Sequence, residues 1–198
     1  NDRRHFHTLI NHISQLCSKL TLSTDYMNTY KTDRIRNVVL LGSTKSGKTT
    51  LSEAMMFEGK VIDRRGTVEG KNTISDNTEV EQLNQRSIYS TALYTEFMNA
   101  KFNIMDSPGA DDFIGGMISS FKVCDAGILV VNATQGVEVG TEIFGRYASQ
   151  YKKPCIVAIN QLEHENADWE GTVESIRQSF GKNVVLVQFP VATGEKFN

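Results

Sequence analysis

Cysteine and proline are scarce in this sequence, with three residues of each among 198. The cysteines, Cys17, Cys124 and Cys155, are too few and too scattered for a disulfide framework or a four-ligand zinc site. No apolar run approaches the roughly 18 residues that a transmembrane helix needs. We therefore expect a reduced, cytoplasmic protein with no membrane-spanning segment.

An excess of charge of one sign is also missing. The chain has 21 Lys and Arg against 23 Asp and Glu, a formal net charge of −2 at pH 7. This balance gives no electrostatic reason to expect sequence-independent binding to nucleic acid. Hydrophobic residues make up 39% of the chain, which is enough for a packed core and argues against disorder.

The first 30 residues differ in pattern from the rest of the chain. Residues 6–20 carry apolar side chains at helical spacing, which predicts an amphipathic helix. No apolar signal core follows Arg3 and Arg4, which argues against a targeting peptide. We interpret residues 1–30 as an extension, either a helical docking segment or a non-native leader, and residues 31–198 as the globular domain.

From residue 35 onward, apolar β-branched runs alternate with stretches of helical composition. The predicted strands are Ile35–Leu41 and residues 87–97, 101–105, 128–131, 154–159 and 184–187; the predicted helices are Lys48–Glu58, Trp169–Phe180 and residues 113–123 and 141–151. Residues 60–86 are polar without a clear period, which is typical of a functional or mobile loop. The alternation predicts an α/β fold with a mostly parallel sheet and helices on both faces.

The strongest local signal matches G-x-x-x-x-G-K-[ST] between a predicted strand and a predicted helix. Its glycines let backbone N–H groups face phosphates, and the helix adds its positive N-terminal end. We predict that Lys48 contacts the β- and γ-phosphates and that Thr49 binds Mg²⁺. The predicted nucleotide-contacting run is Gly42, Ser43, Thr44, Lys45, Ser46, Gly47, Lys48, Thr49 and Thr50.

A second signal, D-x-x-G, follows the strand predicted at residues 101–105. Asp106 at the end of such a strand can hold Mg²⁺ through water, and the Gly109 N–H can meet a γ-phosphate. By itself the pattern is weak, because an ordinary turn also explains it. Its place after a phosphate loop and a hairpin favours a nucleotide switch, with Lys48 and Gly109 as catalytic groups.

Together these motifs resemble the nucleotide-binding domain of translational GTPases, specifically the elongation factor G family. The residues that carry the resemblance, besides the phosphate loop, are Arg65, Gly66, Thr67, Val68, Ser75, Asp76, Asp106, Ser107, Pro108, Gly109, Asp112, Phe113, Gly136, Val137, Glu138, Thr141, Glu142 and Asn160. The resemblance implies a three-layer P-loop GTPase fold that binds GTP or GDP with Mg²⁺. It also implies a cytoplasmic monomer that acts on the ribosome and binds no specific DNA sequence.

The last residues resemble the point where the family chain enters an inserted subdomain. The stretch 189–197 carries this likeness, and the family's final guanine motif is therefore absent from this sequence. We interpret the chain as the N-terminal fragment of a longer translocation factor.

One departure from the family concerns hydrolysis. The family places a histidine after D-x-P-G, where it orients the attacking water, but this chain has Ala110. A methyl group cannot hydrogen-bond water, so we predict that hydrolysis is impaired by orders of magnitude unless Asp111 takes over. The alternatives are an active GTPase of a sister class, such as a tetracycline-type ribosome protection factor or a release factor, and a non-hydrolysing regulatory module.

The guanine-reading tetrad of the family, N-K-x-D, is also altered. Asn160 ends a predicted strand in the matching position, followed by Gln161 and then Glu163 in place of the lysine and the aspartate. Glu163 keeps a carboxylate that can accept two hydrogen bonds from guanine, at the cost of one extra methylene. We expect a preference for guanine with reduced affinity.

Two further departures lie in the switch and in the phosphate loop. Counting back from Asp106 places Ser87 where the family has a Mg²⁺-binding threonine, whereas counting forward from Arg86 gives Tyr89; we favour Ser87. Lys45 replaces an aspartate that helps to hold a monovalent cation. Its ammonium either supplies that charge or simply faces solvent.

Overall fold

The computed structural model describes residues 28–109, 113–181 and 184–197. The chain divides into two units, residues 1–31 and 32–198, and every helix and strand of the described residues belongs to the second. The helix predicted within the first 30 residues lies outside the described residues.

Five strands form one sheet with the spatial order β2-β3-β1-β4-β5. Their bounds are β1 Ile35–Leu41, β2 Thr91–Phe97, β3 Ala100–Asp106, β4 Ala126–Asn132 and β5 Cys155–Asn160. β2 and β3 form an antiparallel hairpin, and the other neighbours are parallel. The carboxyl ends of the four parallel strands therefore meet at one edge, which is where ligands bind in open α/β sheets.

Five α-helices of the described residues accompany the sheet, and four of them cover its two faces. Their bounds are α1 Lys48–Glu58, α2 Glu79–Asn84, α3 Ile114–Val123, α4 Val139–Tyr151 and α5 Trp169–Phe180. Side chains of α3, α4 and α5 pack in one apolar cluster, and α1 packs in the other. The predicted three-layer α/β fold is confirmed. Among the described residues no helix is long and apolar enough to cross a membrane.

The pattern of β1 shows why an apolar run forms a central strand. Val39 and Leu41 face the cluster of α3, α4 and α5, whereas Leu40 between them faces α1. All three are at most 2% exposed. A strand covered on both faces needs apolar residues at consecutive positions, so no polar alternation is seen.

The strand predicted at residues 184–187 is wrong. These residues form no strand, and Val185 and Val187 are 77% and 90% exposed. The run has high β propensity, but a strand also needs a neighbouring edge with which to hydrogen-bond, and no such pairing joins this run to β5. Propensity alone therefore overpredicted this element.

The polar stretch 60–86 is more ordered than its composition indicates. It contains α2, which begins with a capping box in which Thr78 and Glu81 bond each other's backbone N–H groups. The T-x-x-E spacing is a sequence signal for this helix that we did not use. β2 also starts later than predicted, at Thr91, because Glu81 binds the backbone N–H groups of Ile88 and Tyr89.

Candidate nucleotide-binding site

The phosphate loop connects the carboxyl end of β1 to α1. Gly47, the residue before α1, has a φ of 94°, a conformation that favours glycine. A Cβ at this position would also clash with the side-chain amide of Asn160. No side chain of the described residues caps the start of α1, so its first N–H groups are available to an anion.

Lys48 lies across the loop and is only 6% exposed. Its Nζ donates to the carbonyl oxygens of Gly42 at 3.0 Å and Ser43 at 2.8 Å. Burial lowers the pKa of Lys48 to about 8, and the carboxylates of Asp106 and Asp76 counteract part of this shift. A phosphate would offer Lys48 charged acceptors, which bind an ammonium more strongly than neutral carbonyls do.

The predicted magnesium ligands are close together. The Thr49 hydroxyl donates to Asp106 Oδ2 at 2.9 Å and lies 3.2 Å from the Ser87 hydroxyl. Tyr89, the other candidate for this switch position, is 59% exposed and its N–H is held by Glu81. The geometry therefore favours Ser87 over Tyr89.

Asp106 is fully buried in this cluster. The Ser75 hydroxyl also donates to its Oδ2, at 2.6 Å, while Oδ1 has no hydrogen-bond partner among the described residues. Burial raises the pKa of Asp106, and the hydrogen bonds from Ser75 and Thr49 oppose that shift. Oxygen donors with an unpartnered buried carboxylate atom fit a hard divalent cation such as Mg²⁺.

Gly109 lies against the phosphate loop. A Cβ on Gly109 would clash with Lys48 Nζ and with backbone atoms of Ser43 and Gly42, so the approach requires glycine. The D-x-x-G segment thus lies against the phosphate loop at Gly109. Ala110 and Asp111, on which the hydrolysis prediction depends, lie outside the described residues.

The remaining loop residues divide between buried and exposed positions. The Ser43 hydroxyl lies 3.3 Å from the Thr141 hydroxyl of α4, and the buried Ser46 hydroxyl has no partner among the described residues. Thr44 is half-buried, whereas Lys45 and Thr50 are exposed. The exposure of Lys45 does not test its predicted effect on monovalent cations, which stays a prediction.

The altered guanine tetrad reaches the phosphate loop from the end of β5. Asn160 Nδ2 donates to the Ser46 carbonyl and Gln161 Nε2 donates to the Lys45 carbonyl, each at 3.0 Å. Gln161 therefore contacts the loop through a neutral amide, without the charge of the family lysine. Glu163 is exposed beside this contact, in the lining of a cavity of about 520 Å³; the other lining residues are Thr134, Gln161, His164, Glu165 and Asn166.

Two buried glutamates hold residues 60–90, the segment that we call the first switch. Neither of them was identified as a site residue from the sequence. Glu53 of α1 is 1% exposed, and its carboxylate accepts from the N–H groups of Gly66 at 2.8 Å and Ile74 at 2.7 Å. Glu81 of α2 is also 1% exposed and accepts from Ile88 at 3.0 Å. Glu53 binds backbone groups 13 and 21 residues along the chain, so the sequence carries no local signal for its contacts. For Glu81 the T-x-x-E spacing signals the capping box with Thr78 but not the bonds to Ile88 and Tyr89.

A family model described as the elongation factor Tu GTP binding domain matches residues 33–196. The matched span includes the phosphate loop, the D-x-x-G segment and the altered tetrad. The chain belongs to the elongation factor Tu GTP-binding domain family.

Relatives of this GTP-binding domain include elongation factor G proteins. The "Elongation factor G-like protein" of Mycobacterium tuberculosis is 32% identical over 160 residues, which are 81% of this chain and 22% of the relative. "Elongation factor G" of Mycoplasma genitalium is 33% identical over 163 residues, 82% of this chain and 24% of the relative. The resemblance to the elongation factor G family is thus confirmed.

A solved structure resembles this GTP-binding domain as well. A crystal structure of a protein from Thermus thermophilus has a TM-score of 0.78 and 30% identity, and the match covers 83% of this chain and 24% of that one. The chain therefore spans less than a quarter of the length of these relatives.

Proposed function

We propose that this chain binds GTP and GDP with Mg²⁺ and serves as the nucleotide domain of an elongation factor G-like ribosomal translocation factor. The observation that carries the proposal is one buried cluster at the carboxyl edge of the sheet. In it the Thr49 hydroxyl bonds Asp106 and lies beside Ser87, with Lys48 across the same loop. Membership of the elongation factor Tu GTP-binding domain family supports guanine nucleotides as the ligands.

The residues have separate roles in this proposal. Lys48 neutralises the β- and γ-phosphates, and the Gly109 N–H contacts the γ-phosphate. Thr49, Ser87 and Asp106 would hold Mg²⁺, the last through water. When bound, Mg²⁺ supplies positive charge that offsets the charge of the phosphates.

The other end of the site recognises the base. Asn160 supports the phosphate loop through the Ser46 carbonyl, and Glu163 presents a carboxylate for the two N–H donors on the edge of guanine. Gln161 is bonded to the Lys45 carbonyl and carries no charge. We therefore propose a preference for guanine over adenine with modest affinity.

Hydrolysis is impaired in this proposal, because Ala110 cannot orient the attacking water. Binding and release of nucleotide, rather than cleavage, then switch the first-switch segment between arrangements. The partner is the ribosome, and the protein acts as a monomer in the cytoplasm. The non-hydrolysing regulatory module remains the second candidate, and Ala110 is the observation that favours it.

The test is single-turnover hydrolysis of GTP by the full-length protein with excess ribosomes. We expect slow cleavage by the parent and an increase of orders of magnitude in Ala110→His, because the imidazole restores a group that hydrogen-bonds water. Asp111→Asn is the companion variant. Fast cleavage by the parent that Asp111→Asn abolishes would refute the role of Ala110 and point to an active GTPase of a sister class.

A further inference from the structure

The altered guanine tetrad lies in a loop, residues 160–168, whose two ends are fixed to the end of β4. The Asn160 carbonyl accepts from the Ala133 N–H, and the Asp168 N–H donates to the Ala133 carbonyl, each at 2.9 Å. Between these ends Gln161 has a φ of 63°, a conformation that a residue with a Cβ adopts only at an energetic cost. We call this segment the base loop, and it needs further contacts to keep one arrangement.

One such contact comes from the last described segment of the chain. The Gly194 N–H donates to the Leu162 carbonyl at 2.8 Å. The Leu162 side chain is buried, so this residue is held by packing as well as by its carbonyl. Gly194 also lies against the following turn, because a Cβ on it would be 3.8 Å from the His164 carbonyl oxygen and 3.9 Å from Glu165 Cα. The middle of the base loop therefore rests on Gly194.

The backbone of Gly194 is suited to this contact. Its φ is 71°, in the left-handed region that favours glycine. It begins a single turn of 3-10 helix, Gly194–Lys196, in which the Phe197 N–H donates to the Gly194 carbonyl at 2.9 Å. Both backbone groups of Gly194 are thus in use, one to close its own turn and the other to hold Leu162.

Glu163 depends on this support more than the other tetrad residues do. Asn160 and Gln161 are fixed by side-chain hydrogen bonds to the phosphate loop, at 3.0 Å each. Glu163 is exposed, so the position of its carboxylate depends on the backbone that Gly194 holds one residue away. A displaced carboxylate would lose one or both N–H donors of guanine, because hydrogen bonds weaken steeply away from their best distance and angle.

We propose that Gly194 is a positioning residue for guanine recognition, which holds Glu163 where its carboxylate meets both N–H donors of the base. This inference rests on the proposed function, because it requires a guanine nucleotide in the site. It places a determinant of base specificity outside the tetrad, in a segment that contacts the base loop only in the folded chain.

The experiment compares GDP with inosine diphosphate as competitors of a fluorescent GDP analogue bound to the full chain. Hypoxanthine lacks the exocyclic amino group of guanine, so it offers Glu163 one N–H donor instead of two. The ratio of the two affinities therefore reports on base recognition, whereas contacts to the phosphates contribute equally to both. Wild type should favour GDP.

Gly194→Pro removes the N–H that bonds Leu162 and cannot adopt a φ of 71°. We expect the preference for GDP over inosine diphosphate to fall about 3–10-fold, the change that loss of one hydrogen bond produces. Gly194→Asn keeps the N–H and tolerates the left-handed conformation, so it should retain the wild-type ratio. Gly194→Ala keeps the N–H but adopts this φ at a cost; it should give an intermediate ratio, and it replaces the proline variant if that variant does not fold.

Gly181→Pro is the matched control. Gly181 also has a positive φ, 86°, and its N–H donates to the Arg177 carbonyl at 2.9 Å. It follows the last residue of α5, whose 12 residues place it about 18 Å along the helix from the base loop. Gly181→Pro should lower the free energy of unfolding without changing the ratio of the two affinities.

The outcomes separate this inference from the proposed function. A wild-type ratio in Gly194→Pro, or in Gly194→Ala where the proline variant does not fold, would refute the role of Gly194 and leave the proposed function standing. An equal loss of affinity for both nucleotides would also refute it, because a general structural role acts on both, and so would a ratio in Gly194→Asn as low as in Gly194→Pro. If wild type binds both nucleotides equally or binds neither, the proposed function fails and the inference fails with it.

Discussion

The Glu81 carboxylate holds the chain next to Ser87, and Glu81→Gln is expected to loosen this segment. Oε1 accepts from the N–H groups of Ile88 at 3.0 Å and Tyr89 at 3.1 Å. Oε2 accepts from the Thr78 hydroxyl at 2.6 Å and from its N–H at 3.3 Å. Four donors therefore depend on one charged group.

Glutamine preserves the size of the side chain but replaces one acceptor oxygen with an NH₂ group. The Thr78 N–H would then face another donor, and the Thr78 hydroxyl could no longer donate to this atom. Water cannot replace the lost bonds because the Glu81 side chain is 1% exposed. Losing hydrogen bonds to a charged acceptor costs about 1.5–3 kcal/mol, with a further penalty for the buried donors left unpaired. We expect Glu81→Gln to lower the free energy of unfolding by about 3 kcal/mol, a fall of roughly 6–12 °C in Tm for a domain of this size.

The pH dependence of this effect has a definite sign. Burial alone would raise the pKa of Glu81, but the hydrogen bonds from Thr78, Ile88 and Tyr89 together lower it below its usual value of 4.5. A carboxylate with a lowered pKa in the folded state stabilises the protein above the unfolded value. That contribution is lost as the pH falls through the folded pKa. The difference in the free energy of unfolding between wild type and Glu81→Gln is therefore largest at pH 7 and becomes smaller below pH 4.5.

The assay is denaturant unfolding of both proteins from pH 7 down to the acid limit of folding. Glu79→Gln is the control, because Glu79 lies exposed in the first turn of the same helix and should change stability by less than about 0.5 kcal/mol. A Glu81→Gln protein within about 0.5 kcal/mol of wild type at pH 7, or one whose deficit does not change with pH, would refute the reasoning.

Two further predictions concern the ligand. Burial lowers the pKa of Lys48 to about 8, so above that pH the side chain must take up a proton when GDP binds. The affinity for GDP, measured by calorimetry, should therefore fall about tenfold between pH 7 and pH 9. The affinity of Lys48→Arg for GDP should depend little on pH, whereas the control Lys71→Gln, at an exposed position, should show the same fall as wild type. A wild-type affinity that does not change with pH would contradict the prediction. Because the contact that we propose for Glu163 requires the two N–H donors of guanine, unlabelled GTP should displace fluorescent GDP, and an equal concentration of ATP should not. Displacement by ATP as effective as by GTP would count against guanine recognition.

Local patterns predicted much of this fold. The bounds of β1, α1 and α5 agree with those predicted from apolar runs and helical composition. The phosphate loop was also predictable from local sequence, because its eight-residue motif lies directly between a predicted strand and a predicted helix. The place of Asn160 at the end of β5 could also be predicted, because parallel strands end at a common edge of the sheet.

Other features depended on partners distant in the chain. The apolar run 184–187 has the composition of a strand and is not one, because pairing with another edge is not encoded in the run itself. The polar stretch 60–86 has the composition of a loop, but Glu53 holds its backbone at Gly66 and Ile74, which lie 13 and 21 residues along the chain. Composition therefore predicted a strand that does not form and a loop that is more ordered than expected.

The buried carboxylates show the same limit at the candidate site. Motifs could identify Lys48 and Asp106, because the chemistry of phosphate and magnesium imposes their local spacing. Nothing local distinguishes the buried Glu53 from exposed acids such as Glu69. What separates them is burial, which depends on hydrogen bonds and charges contributed by segments that meet only in the folded chain. The sequence therefore determined β1, α1, α5 and the phosphate loop, and tertiary packing decided which acidic residues are buried near that loop.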